Sequence, residues 1–269
     1  MSDGRALARE FLEQQRLLGG SWTPIAGADR PAPSPVPEPR TPAAARAEPA
    51  AAPEEARADQ GAGPLDWPDG VHFDPPPSDL FTTDPVGRAP SLDAIAALVA
   101  TCTQCPLCAG RRHTVPGEGA ADARLLVVGE GPGRVEDETG RPFVGPAGEL
   151  LTKILAAIEL PRSQVFICNI VKCRPPENRQ PVYEEVHACL PYLYRQIELV
   201  APRLILALGA TAAQSLLSTR QSLGAMRQRV HRFRGIPVLV TYHPAALLRN
   251  PNWKRPTWDD VRIARRLLD

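Results

Sequence analysis

The chain has 269 residues and a formal net charge of +1, and its 31 prolines are about twice the usual share of roughly 5%. No run of ~20 apolar residues is present, which excludes a membrane-spanning helix, and Asp3 and Glu10 stand where a secretory signal would need an apolar core. The charge is divided, with 8 Lys/Arg against 14 Asp/Glu in residues 1–90 and 23 against 16 in residues 91–269, so an acidic tail precedes a basic region suited to a polyanion.

Residues 5–18 carry Leu7, Phe11, Leu12 and Leu18 near one helical face, and Gly19-Gly20 closes that pattern. A short N-terminal helix over residues 1–20 is expected, either marginal on its own or held by the domain or a protein partner. Residues 21–90 are rich in proline and alanine and poor in large apolar side chains, which marks a disordered acidic linker. From residue 91 to 269 the pattern becomes that of one packed domain. A helix is expected over 92–100, then strands at Arg124-Leu-Leu-Val-Val-Gly129, Gln164-Val-Phe-Ile-Cys-Asn-Ile170, Leu204-Ile-Leu-Ala-Leu-Gly209 and Pro237-Val-Leu-Val-Thr241. Helices over 147–159, 182–200, 210–217 and 258–268 alternate with them. The expected fold is therefore α/β, a three-layer α/β/α domain around a central four-stranded parallel sheet. Ligands of such sheets sit at the carboxyl ends of the strands.

Four groups of residues lie at those ends or beside them. Gly129-Glu-Gly-Pro-Gly133 follows the first strand but is trailed by Glu136, Asp137 and Glu138, which would repel a pyrophosphate. A catalytic loop bringing Glu130 and bare backbone to a substrate fits better, and a plain structural turn is the alternative. All six cysteines lie between 102 and 189. Cys102 and Cys105, with Cys173 and Cys189 downstream, suit zinc or an iron–sulfur cluster, or a redox pair at Cys102–Cys105. Cys108 is an alternative ligand, and Cys168 reads as a buried strand residue. Asn169, at a strand end, can present the donor and acceptor of its amide to a ligand; a uracil edge offers the matching pair, and a plain turn is the alternative. Arg174 and Arg179 follow in a proline-stiffened loop and could reach phosphates. Finally, His243 precedes Pro244, and Leu247, Leu248 and Arg249 could supply an apolar wedge beside a phosphate contact.

Taken together, Cys102–Cys105, Gly129–Gly133, Glu136-Asp-Glu-Thr-Gly-Arg-Pro-Phe-Val-Gly-Pro-Ala-Gly148, Asn169-Ile-Val-Lys-Cys-Arg-Pro-Pro176, Cys189 and His243-Pro-Ala245 resemble family-4 uracil-DNA glycosylases. These form the iron–sulfur branch of the uracil-DNA glycosylase superfamily, and the resemblance spans residues 95–268. It implies a [4Fe–4S] cluster on Cys102, Cys105, Cys173 and Cys189 that braces loops near DNA. It implies that uracil is flipped out of the strand, stacked on Phe143, read by Asn169 and stabilised as an anion by His243. Glu130 would position the attacking water, and Gly131 stands where some branches carry aspartate. Glu136 would shape the substrate pocket with Asp137. No basic insertion separates Glu136 from Phe143, so turnover is expected, and the product would be an abasic site.

The implied partner is uracil-containing DNA, single- or double-stranded, met by a monomer in the cytoplasm at the nucleoid of a prokaryotic cell. Two rivals belong to other classes. A non-catalytic Fe–S module of the same fold would bind DNA without releasing a base, and a redox enzyme would carry a bound nucleotide cofactor.

Overall fold

The computed structural model describes residues 84–269. The helix expected over 5–18 and the linker up to residue 83 lie outside the described residues. Residues 84–90, assigned to the linker on composition, instead form a turn that packs on the domain. Val86 and Ala89 are buried in the core, and the Ala89 carbonyl accepts from Arg195 Nε at 3.0 Å and Nη2 at 2.9 Å. Two apolar residues and one guanidinium are enough to order this stretch against the proline bias.

Six strands form one sheet: β1 (Glu118–Gly119), β2 (Leu125–Gly129), β3 (Val165–Asn169), β4 (Leu204–Leu208), β5 (His231–Phe233) and β6 (Ile236–Thr241), in the order β1-β3-β2-β4-β6-β5. The four inner strands are parallel, as their continuous apolar runs predict. The two edge strands are antiparallel additions. With two and three residues they carry no readable periodicity. The β5–β6 hairpin turns on Arg234 (φ 48°) and Gly235 (φ 83°), the paired left-handed conformation that suits a two-residue hairpin loop.

Helices α1 (Leu92–Ala100), α2 (Arg134–Thr139), α3 (Pro146–Ala157), α4 (Tyr183–Val200), α5 (Ala210–Leu217), α6 (Leu223–Met226), α7 (Pro244–Arg249) and α8 (Lys254–Leu268) complete the domain. Ser91 starts α1 by accepting from the Ala94 N–H at 3.2 Å. Alternate strand residues bury on opposite faces. Leu126, Val128, Phe166, Cys168, Ile205, Ala207, Val238 and Val240 share a core with α1, α4 and α5. Leu125, Val127, Ile167, Leu204 and Leu206 are equally buried on the other face, where α8 lies against β4 and β6. The chain leaves β2 toward β3 and leaves β4 toward β6, so its connections diverge between β2 and β4. A crevice at such a reversal is where open parallel sheets bind ligands.

Candidate active site

The pocket is built on a missing side chain. Gly129 ends β2 directly beside Asn169 at the end of β3. A Cβ on Gly129 would stand 2.5 Å from both Asn169 Oδ1 and Phe143 Cζ. Only glycine lets the strand, the amide and the ring meet there. The next residue, Glu130, turns toward β4, where Thr211 Oγ1 donates to Glu130 Oε2 at 2.5 Å. Burial pushes the Glu130 carboxyl above its ordinary range, while the Thr211 hydrogen bond and the Arg249 charge pull it back down. A Cβ on Gly131 would come within 2.8 Å of Val171 Cγ2, so a side chain there requires the Val171 side chain to shift.

Phe143 is held in a left-handed conformation (φ 51°) that a bulky residue adopts only under restraint. Three restraints converge on it. Arg162 Nη1 donates to the Phe143 carbonyl at 2.9 Å, and Nη2 donates to the Pro142 carbonyl. The Phe143 carbonyl packs on Gly148 so closely that a Cβ there would fall 1.9 Å from its oxygen. Glu136 then fastens the loop: Oε1 accepts from Val144 N (2.9 Å) and Gly145 N (2.8 Å), and Oε2 accepts from Gly133 N (3.1 Å). Glu136, expected both to bind at the substrate pocket and to support its loop, has both oxygens committed to backbone donors of that loop. It braces the pocket and does not face it. Asp137 likewise accepts from Arg112 N at 2.9 Å.

Asn169 is 1% exposed, and its Oδ1 has no hydrogen-bond partner among the described residues. An unpaired buried acceptor costs about 1–3 kcal/mol, so it marks a place where a ligand supplies the donor. His243 completes the pocket, its ring centroid 5.5 Å from that of Phe143. It is the N-cap of α7, and its Nδ1 accepts from the Ala245 N–H at 3.2 Å. An accepting Nδ1 carries no proton, so the neutral ring carries its proton on Nε2. Burial drives the imidazole down to about 4, Arg249 adds to this and Glu136 opposes it, so the ring is a neutral donor near pH 7.

The four cysteines expected as metal ligands lie on three separate segments of the chain. Cys102, Cys105, Cys173 and Cys189 line one pocket, with Cys108 on the same wall. Cys168 lies apart in the sheet core. Arg111 Nη1 donates to Cys173 Sγ at 3.4 Å and to the Cys102 carbonyl at 2.7 Å, and the Lys172 N–H donates to Cys189 Sγ at 3.3 Å. Burial raises the thiols of Cys105 and Cys173 and takes Cys189 to about 12. Among the described residues no three His, Cys, Asp or Glu side chains are gathered tightly enough to hold a metal ion. The Lys172 ammonium, 1% exposed, joins the cage to the pocket by donating to the Asn169 carbonyl (2.8 Å) and to Gln196 Oε1 (2.7 Å).

The residues expected at phosphates fare unevenly. Leu247 is 1% exposed and belongs to the packing of α7; the neighbouring Leu248, 50% exposed, is the apolar side chain that faces outward. Arg179 spends its guanidinium on buried Glu185, with two bonds of 2.9 and 2.6 Å, so its fork is not open to a phosphate. Arg174 Nε donates to Asn178 Oδ1 at 2.8 Å. Arg249 is exposed at the end of α7, near enough to act on both Glu130 and His243. Thr211, Gln180 and Arg162 escaped sequence reading, because nothing local distinguishes them from ordinary helix or loop residues.

The family model described as the Uracil DNA glycosylase superfamily matches residues 116–263. The chain is 47% identical over 168 residues to the Type-4 uracil-DNA glycosylase of Pyrobaculum aerophilum, covering 60% of this chain and 86% of that protein. It is 43% identical over 185 residues to the Type-4 uracil-DNA glycosylase of Thermotoga maritima, covering 67% and 96%. It is also 31% identical over 179 residues to the Type-5 uracil-DNA glycosylase of Pyrobaculum aerophilum, covering 54% and 79%.

Proposed function

Because the chain belongs to the uracil DNA glycosylase superfamily, we propose that it is a monofunctional glycosylase that hydrolyses uracil from DNA and leaves an abasic site. One observation carries the reading: the buried, unpaired Oδ1 of Asn169 beside the Phe143 ring and the proton-bearing Nε2 of His243. Uracil supplies what is missing. Its N3–H donates to Oδ1, its O4 accepts from Nδ2, and its ring stacks on Phe143. Cytosine presents an amino group and an unprotonated N3, which leave both amide atoms mispaired in that orientation.

The target base must leave the helix before its sugar bond can be reached. As the C1′–N1 bond breaks, its electron pair stays with uracil, and negative charge grows on O2. His243 donates its Nε2–H to that oxygen. A neutral ring suits the task, since it stabilises the anion without having to hold a buried cation beforehand. Glu130 orients a water toward C1′ and takes its proton as the new C–O bond forms. Gly131 keeps the backbone bare beside the sugar. Glu136, Arg162 and Gly148 hold the loop that carries Phe143.

The cage residues Cys102, Cys105, Cys173 and Cys189 would hold a [4Fe–4S] cluster, with Cys108 left over. When bound, the cluster supplies iron–thiolate bonds that tie the loop after α1, the loop after β3 and α4 together. Hydrolysis asks no electron transfer of it. Leu248 and Arg249, beside the pocket, form the face offered to DNA, within a domain whose excess of basic residues favours phosphates. No helix among the described residues is long and apolar enough to cross a membrane. A monomer acting at the nucleoid in the cytoplasm completes the reading.

The test uses the full chain and a labelled single-stranded oligonucleotide containing one uracil, with matched thymine and cytosine strands. Alkali-dependent cleavage at uracil alone is the expected result. Binding of DNA by brown, cluster-containing protein with no base released would instead identify a non-catalytic module.

A further inference from the structure

Glu130 is not left to find its own orientation. Thr211, the second residue of α5, is 1% exposed, and its hydroxyl donates to Glu130 Oε2 at 2.5 Å, the short end of the range for a hydroxyl on a carboxylate. Behind it, Gln180 Nε2 donates to Thr211 Oγ1 at 3.0 Å. A hydroxyl has one proton and two lone pairs. An ionised carboxylate only accepts, so the Thr211 proton lies on the line to Glu130, and Gln180 occupies a lone pair of the same oxygen. Three separate segments contribute: Glu130 follows β2, Thr211 lies in the first turn of α5, and Gln180 lies in the loop between β3 and α4.

We propose that Gln180 and Thr211 form a relay that fixes the plane of the Glu130 carboxylate, so that Oε2 is anchored and Oε1 is aimed at the attacking water. Thr211 and Gln180 are thus positioning residues for the reaction. The inference rests on the reading of Glu130 as the residue that holds the water. Carboxylate torsions are broad and nearly two-fold when unrestrained. The Thr211 bond removes that freedom, and misplacement of a reacting group by about 1 Å can cost on the order of 10²-fold in rate. Oε1 makes no hydrogen bond among the described residues, so it is the oxygen open to water.

The relay also keeps Glu130 in the state that can accept a proton. Burial favours its neutral form; the Thr211 hydrogen bond opposes this, and so does Arg249 on α7, the charged side chain acting across the pocket. His243, on the same side as Arg249, is neutral until about pH 4. Glu136 on α2 has its charge taken up by backbone donors. Loss of the hydroxyl therefore moves the acid limb of the rate profile upward.

The experiment measures single-turnover uracil release against pH for the full-length holoenzyme and for Thr211→Val, Thr211→Ser, Gln180→Leu, Glu130→Gln and the double variant Thr211→Val/Glu130→Gln. Thr211→Val should be roughly 10- to 100-fold slower, the loss expected for a hydrogen bond to a charged group, with its acid limb moved to higher pH. Thr211→Ser should restore both, and Gln180→Leu should show the same shift at a few-fold cost. In the Glu130→Gln background, Thr211→Val should add no more than about a two-fold loss, because its effect runs through the missing carboxylate. Equal slowing by Thr211→Val in both backgrounds, or an unmoved acid limb, would overturn the relay while leaving Glu130 in place. A Glu130→Gln variant as fast as wild type would overturn the Glu130 reading and the relay with it.

Discussion

The base pocket and the cysteine cage are neighbours joined by the short segment from Asn169 to Cys173, yet they are built on opposite terms. In the pocket, Asn169 Oδ1 is buried without a hydrogen-bond partner among the described residues, while Glu130 is held through Oε2 alone. In the cage, each buried thiol is wrapped against ionisation, and two of them already accept hydrogen bonds, Cys173 from Arg111 and Cys189 from the Lys172 backbone. The pocket accepts a desolvation cost to gain a choice between bases. On the proposed reading, a cluster held by the cage would let these thiols ionise and would tie loop order to itself. Lys172 touches both, with its backbone on Cys189 and its ammonium on the Asn169 carbonyl.

Substitutions on the two sides should therefore fail differently. Asn169→Ala should fold and keep its colour, yet lose on the order of 10³- to 10⁴-fold in uracil release, the scale on which a hydrogen-bonding site rejects a mismatched partner. Single-turnover kinetics at equal cluster content measures this. His243→Asn keeps an acceptor for the α7 cap and removes the Nε2 donor; release should fall about 10²- to 10³-fold with DNA binding unchanged. Phe143→Leu keeps bulk and loses the stacking face, and about a 10-fold weaker hold on a flipped base is expected from binding titrations.

On the cage side, Cys189→Ser should bleach the visible absorbance and lower the melting temperature, with base release falling only in step with the folded fraction. If Cys189→Ser instead removed activity at full stability and full colour, the division between the two regions would be wrong. The smallest effect concerns pH. The folded His243 titrates near 4 and its ordinary value is 6.5. The unfolded chain therefore takes up this proton first as pH falls, and the stability tied to a neutral His243 is complete above pH 6.5 and lost on the way down to 4. His243→Asn should flatten that part of the acid-unfolding curve relative to wild type.

The four parallel strands were legible because each is a continuous apolar run with both faces buried, and that pattern survives any tertiary detail. The edge strands β1 and β5 were not legible. His231-Arg232-Phe233 pairs only because β6 stands beside it. Glu130 and Glu136 show the same limit within one loop. Both are acidic residues after a glycine turn, and only the backbone path reveals that one meets a hydroxyl in the crevice and the other three amide hydrogens behind it. Leu247 and Leu248 differ by a single step around a helix, which decides core against surface. Arg179 looked available until Glu185, one turn into α4, came round to meet it. Thr211 lies 81 residues from Glu130, and no local pattern encodes that meeting.

The most direct test of the account compares wild type with Asn169→Ala, both carrying the cluster, on single-stranded oligonucleotides holding one uracil, thymine or cytosine. The account predicts release of uracil alone by wild type, and loss of that release in Asn169→Ala with DNA binding retained. Undiminished uracil release by Asn169→Ala would contradict it, because the buried, unpaired amide oxygen would then have no part in reading the base.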